Sequence, residues 1–186
     1  MSSISAHLSP PLRPFAILTV VVLFHQGKLL LLQRAPTKAF APKRWTGIGG
    51  KIEPGELGDV TAAARRELFE ETDLAPDEVS ELVLRRTLTF DRPGEGLVCL
   101  LYLTGTTVTG RVPSCNEGTL AWVSAAELGQ LDLVENSGAV IGLLAADVGR
   151  DETPVRCGVA VYGSSGALVR IVFDDADVHF GSGRTG

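Results

Sequence analysis

The residues best suited to chemistry are three glutamates in the run Arg66-Glu67-Leu68-Phe69-Glu70-Glu71. Their carboxylates lie at i, i+3 and i+4, positions that share one face of a helix. Like charges on one face repel each other, so a metal-free helix would be more stable without them. A hard divalent cation such as Mg²⁺ reverses that effect because it prefers oxygen ligands. The spacing predicts a divalent-metal site, and the alternative is an acidic face that is only solvated.

A glycine-rich bend, Gly47-Ile48-Gly49-Gly50-Lys51, precedes the acidic run. Glycine lets the backbone approach a ligand closely, so carbonyls and amides of this bend can contribute to a site. Lys51 beside the bend could contact a phosphate. A tight bend followed by an acidic helix face is suited to metal-assisted phosphate chemistry.

The size and charge of the chain narrow the class of ligand. With 186 residues, 45% of them apolar, the chain can form one domain with a sizeable core. Its net charge of −5 argues against a nonspecific binder of duplex nucleic acid, which would be basic. A phosphorylated small molecule remains compatible, because a metal can offset the repulsion. Cys99, Cys115 and Cys157 have neither zinc-site nor disulfide spacing, which favours a reducing compartment.

We expect a cytoplasmic protein that does not enter a membrane. The apolar run Phe15–Phe24 is too short to span a bilayer. The first 14 residues lack the basic and apolar segments of a signal peptide. We also expect a disordered N-terminal tail over residues 1–14, a single domain over 15–180 and a flexible C-terminal tail over 181–186.

Two segments have the pattern of long helices. Asp59 is a suitable N-cap for the acidic helix, which we expect to end near Thr72. A second long helix is predicted over Ser137–Asp147. The apolar positions that step by four along the first helix, and that we expect to face the core, are Val60, Ala64 and Leu68.

Apolar and alternating runs predict that strands dominate the chain. Together with the two helices they predict an α+β (α/β) fold, an α/β/α sandwich around a central mixed β-sheet. The predicted strands are Ala16–Phe24, Leu29–Gln33, Val79–Phe90, Val98–Val108, Leu120–Val123, Val155–Tyr162 and Ala167–Phe173.

These motifs resemble the Nudix box of the Nudix hydrolases. The box reads Gly, five residues, Glu, seven residues, then Arg-Glu-apolar-any-Glu-Glu-any-Gly-apolar. Weaker likeness extends from Phe15 to Phe173. The residues that carry the resemblance are Gly50, Glu56, Arg66-Glu67-Leu68, Glu70-Glu71 and Leu74.

The chain departs from the box at two places. Nine residues, not seven, separate Glu56 from Arg66, and the simplest account is an insertion of Leu57-Gly58 before the helix. The insertion puts in question whether Glu56 occupies the place of the family's first glutamate. Asp73 replaces the family's glycine; if the position is left-handed, we expect Asp to be tolerated at a modest stability cost.

The resemblance implies a role for each residue of the box. Glu70 and Glu71 would be metal ligands, helped by the carbonyl of Gly50. Glu67 would be a further ligand or the base that deprotonates the attacking water, and the sequence leaves that choice open. Arg66 would hold the carboxylates in place, since its i, i+4 spacing to Glu70 favours an ion pair. The implied cofactor is Mg²⁺, with Mn²⁺ as a possible substitute.

Two positions outside the box could complete the site. Glu117 lies five residues before Trp122, where many family members carry a glutamate that binds metal or water over the site. The alternative for Glu117 is a solvated loop residue beside a turn glycine. Arg34 opens a basic segment that also holds Lys38, Lys43 and Arg44, and this segment could contact phosphates or be merely solvated.

The resemblance implies Mg²⁺-dependent hydrolysis of a pyrophosphate bond in a nucleoside di- or triphosphate derivative. The chain looks most like the MutT-type 8-oxo-dGTP diphosphatases, which release a monophosphate and pyrophosphate. Where related enzymes carry a tryptophan-acidic segment for the purine, this chain has Leu133-Val134-Glu135-Asn136-Ser137. Glu135 or Asn136 could still hydrogen-bond a base edge, so both are candidate substrate-binding residues.

Other activities are compatible with the same box. An ADP-sugar or another nucleoside-diphosphate-linked metabolite is the main alternative substrate, and a catalytically silent nucleotide-binding module is a further one. The expected partner is a small nucleotide, with no duplex nucleic acid and no membrane. The sequence leaves open whether the protein is a monomer or a homodimer.

Overall fold

The computed structural model describes residues 14–92, 96–149 and 154–180. The expected tails at 1–14 and 181–186 therefore lie outside the described residues, apart from Pro14, whose carbonyl accepts a hydrogen bond from the Leu97 amide. No helix within these ranges has the length and apolar character needed to cross a bilayer.

Nine strands form a mixed sheet over the described ranges. Their order is β3-β2-β1-β5-β4-β7-β8-β9, and β6 pairs with β2 off this path. The strands are β1 Phe15–His25, β2 Lys28–Arg34, β3 Trp45–Thr46, β4 Val83–Arg92, β5 Gly96–Thr106, β6 Gly118–Ser124, β7 Arg156–Tyr162, β8 Leu168–Phe173 and β9 Asp177–His179.

Two α-helices cover the sheet, α1 over Val60–Glu71 and α2 over Glu135–Ala146. Alternation along β1 sends Val20 and Val22 into the core cluster that contains α2. It sends Val21 and Leu23 into the cluster that contains α1. One helix on each face of a mixed sheet confirms the predicted α/β/α arrangement.

The start of α1 follows the sequence signal closely. The carboxylate of Asp59 accepts a hydrogen bond from the Ala62 amide at 2.9 Å, which confirms the predicted N-cap. Ala64 and Leu68 are fully buried against the sheet, as their spacing predicts. The acidic residues of the helix are therefore directed away from this core.

Several element boundaries differ from the predictions, and one strand was not predicted. Helix α2 begins at Glu135 rather than Ser137, so Asn136 lies in its first turn. The strand predicted from Val79 begins at Val83, because Val79 forms only an isolated bridge after the short 3-10 turn Pro76–Glu78. The edge strand β9 was not predicted, because its segment contains no run of apolar residues.

The glycine bend is attached to β1. The Thr19 amide donates to the Gly50 carbonyl at 2.9 Å, and the Ile52 amide donates to the Ile17 carbonyl at 3.0 Å. These bonds hold the bend along β1, and Arg66 Nη2 of α1 donates to the Lys51 carbonyl at its end. The bend and the acidic helix are thereby fixed relative to one another.

Candidate active site

The carboxylate of Glu67 packs directly against Gly50. A Cβ placed on Gly50 would come within 2.4 Å of Glu67 Oε2, so only glycine leaves room for this carboxylate. Gly49 has φ of +146°, and a Cβ there would lie 2.3 Å from the Thr19 carbonyl oxygen. Gly50 therefore permits the close approach of the bend to Glu67 on the helix, and Gly49 permits its close approach to β1.

Arg66 links four acceptors of the site. Its Nε and Nη2 contact the two oxygens of Glu56 at 2.7 and 2.9 Å, a bidentate pair. Its Nη1 donates to Glu67 and to Glu70, both at 3.0 Å, and the Glu70 contact confirms the predicted i, i+4 ion pair. Nη2 also donates to the Lys51 carbonyl at 3.2 Å.

The extra residues before α1 do not remove Glu56 from the site. They form a 3-10 turn over Glu56–Gly58, and the Glu53 amide donates to Glu56 Oε2 at 2.7 Å. Hydrogen bonds from Arg66 first, and then from Glu53, lower the pKa of Glu56 to about 2. Glu56 is therefore an anionic anchor for Arg66.

The negative charge of the Glu71 carboxylate is only partly balanced by its surroundings. Its Oε2 is buried and has no hydrogen-bond partner within the part of the chain that the structure describes. Burial, followed by the negative charges of Glu117 and Glu67, raises the pKa of Glu71 to about 7. Gly49 and Lys38 oppose that rise.

A divalent cation fits the surroundings of Glu71. In a metal-free protein, a buried carboxylate oxygen without a hydrogen-bond donor is destabilising. Two further glutamates face Glu71 and add negative charge. Carboxylate oxygens are the ligand type that Mg²⁺ prefers. As they stand, no three acidic, His or Cys side chains of the described ranges are close enough to hold an ion, and Arg66 and Lys38 pair with several of the acids.

Glu117 is positioned from the opposite side of the site. Its carbonyl accepts from the Ala35 amide at 2.9 Å, and its amide donates to Cys115 Sγ at 3.4 Å. Gly118 starts β6 against β2 so closely that a Cβ would lie 2.0 Å from the Gln33 carbonyl oxygen. The Glu117 carboxylate forms an ion pair with Lys38.

A cleft of about 460 Å³ adjoins these carboxylates, a volume within the range of small-molecule sites. It brings together the predicted residues Gly50, Lys51, Glu71, Glu117, Arg34 and Asn136. Glu67, Glu70 and Glu135 do not line it. The Glu70 side chain is 60% exposed, on the outer side of Arg66.

The far end of the cleft is formed by the start of α2. Asn136 and Ser137 are buried, and the Ser137 amide donates to Asn136 Oδ1 at 2.8 Å. Since an amide can only donate, this contact fixes the carboxamide orientation and leaves Nδ2 as the free end of the group. Thr46 Oγ1 lies 3.4 Å from Ser137 Oγ.

A smaller cavity of about 160 Å³ shares Asn136 with the cleft and is lined by Glu135 as well. Phe40, which is 52% exposed, borders both cavities. Tyr162 reaches this cavity from β7 and its ring lies 5.5 Å from that of Phe90. Sequence reasoning assigned no role to Phe40, Thr46, Ser137 or Tyr162, because nothing in their local pattern distinguishes them.

The expectation for Asp73 was wrong in its premise. Asp73 does not have a positive φ, so the position is not left-handed. Its carboxylate instead accepts from Arg111 Nη1 and from the Ser114 amide, each at 2.9 Å. The hydrogen bonds from Arg111 lower the pKa of Asp73, so the residue stabilises the loop as an anion.

Comparison with known proteins gives results that agree with this geometry. The chain matches the family model of the NUDIX domain over residues 14–142. An oxidized purine nucleoside triphosphate hydrolase from Danio rerio is 36% identical over 66 residues, a match that covers 36% of this chain and 40% of that protein.

Solved structures with the same fold include a MutT protein from Bacillus halodurans. It has a TM-score of 0.68 and 20% identity, with 87% of this chain and 99% of that one covered. A bifunctional NMN adenylyltransferase/ADP ribose pyrophosphatase from Francisella tularensis has a TM-score of 0.57 and 20% identity. The match covers 75% of this chain and 43% of that one. At these identities the likeness establishes a shared fold.

Proposed function

We propose that this chain, which belongs to the NUDIX domain family, is a Nudix pyrophosphohydrolase that hydrolyses a nucleoside triphosphate with Mg²⁺. An oxidised purine nucleotide such as 8-oxo-dGTP is the leading candidate, and the products would be the monophosphate and pyrophosphate. The observation that carries the proposal is the unpartnered Glu71 Oε2, which faces Glu67 and Glu117 beside the cleft.

The metal would be held by the acids around the glycine bend. Glu71, Glu117 and Glu67 are the nearest set, with Glu70 and the Gly50 carbonyl as further ligands. The Gly50 carbonyl already accepts from Thr19, so it would contribute its remaining lone pair. When bound, Mg²⁺ neutralises charge on the phosphates and lowers the pKa of a bound water.

The side chains of the protein have separate roles in the proposed reaction. Arg34 and Lys51 line the cleft and would bind the phosphates. Glu67 would be a further metal ligand or would accept the proton of the attacking water. Arg66 contacts Glu67 and Glu70 and would keep both carboxylates oriented.

The base of the nucleotide would occupy the end of the cleft at α2. The free Nδ2 of Asn136 is a donor suited to a carbonyl or ring nitrogen acceptor of a purine. Glu135 at the adjoining cavity could accept from an amino or N–H group. Phe40 at the border offers an exposed aromatic face for stacking.

A nucleoside-diphosphate-linked metabolite such as an ADP-sugar is the second candidate substrate. The observation in its favour is the smaller cavity beyond Asn136, which could seat an additional ring. The three acids of α1 argue against a silent binding module, because a binder without metal gains nothing from mutually repelling carboxylates.

A panel of nucleotides incubated with Mg²⁺ tests the proposal. We expect release of pyrophosphate from a nucleoside triphosphate, with 8-oxo-dGTP turned over faster than dGTP, and no turnover when EDTA replaces the metal. Release of two monophosphates from an ADP-sugar, without activity on triphosphates, would establish the second candidate instead. Absence of hydrolysis across the panel would overturn both.

A further inference from the structure

Two cations pair with the acids of the site, and they are held very differently. Arg66 is fixed by a bidentate pair with Glu56 and by the Lys51 carbonyl, so its guanidinium has anchors outside the proposed ligands. The ammonium of Lys38 pairs with Glu117, which is itself a proposed ligand. Arg66 also contacts the proposed ligands Glu67 and Glu70, but its other anchors hold it in place, whereas Lys38 has no ion pair besides Glu117 among the described residues.

The Lys38 ammonium affects two of the proposed metal ligands, Glu117 and Glu71. Its positive charge is felt by Glu71 as well as by Glu117, and it is the cation that opposes the raised pKa of Glu71. Its loop is tied to the Glu117 backbone through the Ala35 amide. Its side chain is 29% exposed, so a flexible four-carbon stem can turn towards the solvent-filled cleft.

We propose that Lys38 is an exchangeable counter-ion of the metal site. In the metal-free protein its ammonium neutralises Glu117; when the divalent cation enters with its nucleotide, the ammonium leaves Glu117 and contacts a phosphate. This inference rests on the proposed function, because it takes Glu117 and Glu71 as the acids that surround the metal.

Two consequences follow from this exchange. The metal alone binds weakly to the wild-type protein, because it must displace the ammonium without offering it a new partner. Metal and nucleotide together bind with positive coupling, because the phosphate receives the displaced charge, and such coupling is reciprocal between the two ligands. Lys38 would thus be a positioning residue that makes metal binding depend on substrate.

The decisive experiment titrates the full-length protein with Mn²⁺ alone and measures free Mn²⁺ by electron paramagnetic resonance. We expect Lys38→Met to bind Mn²⁺ about three- to tenfold more tightly than wild type, since a competing cation is gone. Lys38→Arg should restore the wild-type affinity. The matched control is Lys43→Met, which removes one exposed charge of the same loop outside the cleft lining and should bind like wild type.

The kinetic readout separates this role from a structural one. With the nucleotide that the wild type hydrolyses, Lys38→Met should raise KM while kcat stays within about threefold, because the phosphate contact is lost but the acids remain. If Lys38→Met binds Mn²⁺ no more tightly than wild type, the inference is overturned and the proposed function stands. If neither wild type nor Lys38→Met binds Mn²⁺ at millimolar concentration, with or without the nucleotide, the inference and the proposed function fall together.

Discussion

The carboxylate of Glu67 occupies the space that a Cβ on Gly50 would fill. A Cβ on Gly50 would lie 2.4 Å from Glu67 Oε2 and 2.7 Å from its carboxyl carbon. The acidic helix and the glycine bend therefore fit closely together, although they are separate in sequence. Hydrogen bonds of the bend to β1 hold the bend in this position. This relationship turns two separate motifs into one site.

Gly50→Ala should impair catalysis far more than stability. The clashing atoms belong to the end of a flexible side chain, so Glu67 can turn away with little effect on the fold. A displacement of about 1 Å of a catalytic group can lower kcat by roughly a hundredfold. We expect kcat to fall by between about tenfold and about a hundredfold. The melting temperature should stay within a few degrees of wild type.

The matched control for this substitution is Gly58→Ala, where an added Cβ meets nothing within 4 Å. Steady-state kinetics and thermal melts of both variants check the prediction. If Gly50→Ala retains kcat within a factor of about two, Glu67 does not act at the position we assign to it.

Arg66→Lys should lower kcat by about tenfold or more, since changes in residues that orient metal ligands commonly cost 10- to 100-fold. Lysine keeps the charge but cannot bind Glu56 bidentately while donating to Glu67 and Glu70. Arg65→Lys is the control, because Arg65 points to the Ser80 carbonyl on another side of the helix. Equal kcat in the two variants would show that Arg66 does not orient the acids.

The stability of the metal-free protein should fall as pH rises from about 4.5 to 7. Glu71 has a pKa of about 7 in the folded protein against 4.5 as its ordinary value, so the folded state keeps a proton that the unfolded state loses. Allowing for solvent screening, the loss is on the order of 1–2 kcal/mol. Glu56 and Glu78 have lowered pKa values of about 2, so their effects fall below this window.

Urea unfolding at several pH values, without metal, measures this slope. Glu71→Gln should flatten the pH dependence of the unfolding free energy between about pH 4.5 and 7. Saturating Mg²⁺ should raise the wild-type melting temperature most near pH 7, because binding to the ionised site is linked to folding. A wild-type slope that is unchanged by Glu71→Gln would show that another group titrates in this range.

Arg86→Met should destabilise the fold by about 1–3 kcal/mol, because it removes the ion pairs of a buried cation with two partly exposed aspartates. Arg86 is 2% exposed and joins β4 to Asp147 at 2.7 Å and to Asp175 at 2.9 Å, which connects α2 and the C-terminal strands to the sheet. Arg156→Met removes a more exposed pair with Asp174 and a longer contact with Asp175, and should cost at most about 1 kcal/mol. Chemical denaturation compares them, and equal costs would contradict a structural role for Arg86.

Local signals in the sequence were sufficient for the central part of the site. Asp59 caps α1 as its residue type predicts, and the i, i+4 relation of Arg66 to Glu70 is present as an ion pair. The continuous apolar run of β1 correctly indicates a buried strand, since Val20, Val21, Val22 and Leu23 are all buried. Each of these features depends on neighbours a few residues away, which a sequence displays directly.

Contacts between distant segments were not accessible in the same way. The ion pair of Lys38 with Glu117 depends on β2 lying beside β6, which neither segment encodes alone. The N-cap of helix α2 is Val134, which makes no side-chain cap hydrogen bond, so the start of the helix at Glu135 lacked the usual cap signal and Asn136 was placed outside the helix. Arg86 is buried because aspartates from two remote segments surround it, whereas an isolated arginine favours a surface position.

The central claim is that acids of α1 hold the cation that drives hydrolysis, and the turnover of Glu70→Gln and Glu71→Gln with Mg²⁺ tests it most directly. Each variant should lose at least roughly a hundredfold in kcat on the nucleotide that wild type hydrolyses, as expected when a metal ligand is removed. Glu81→Gln, an exposed glutamate outside the cleft lining, should retain wild-type turnover. Near wild-type turnover in both Glu70→Gln and Glu71→Gln would contradict the account.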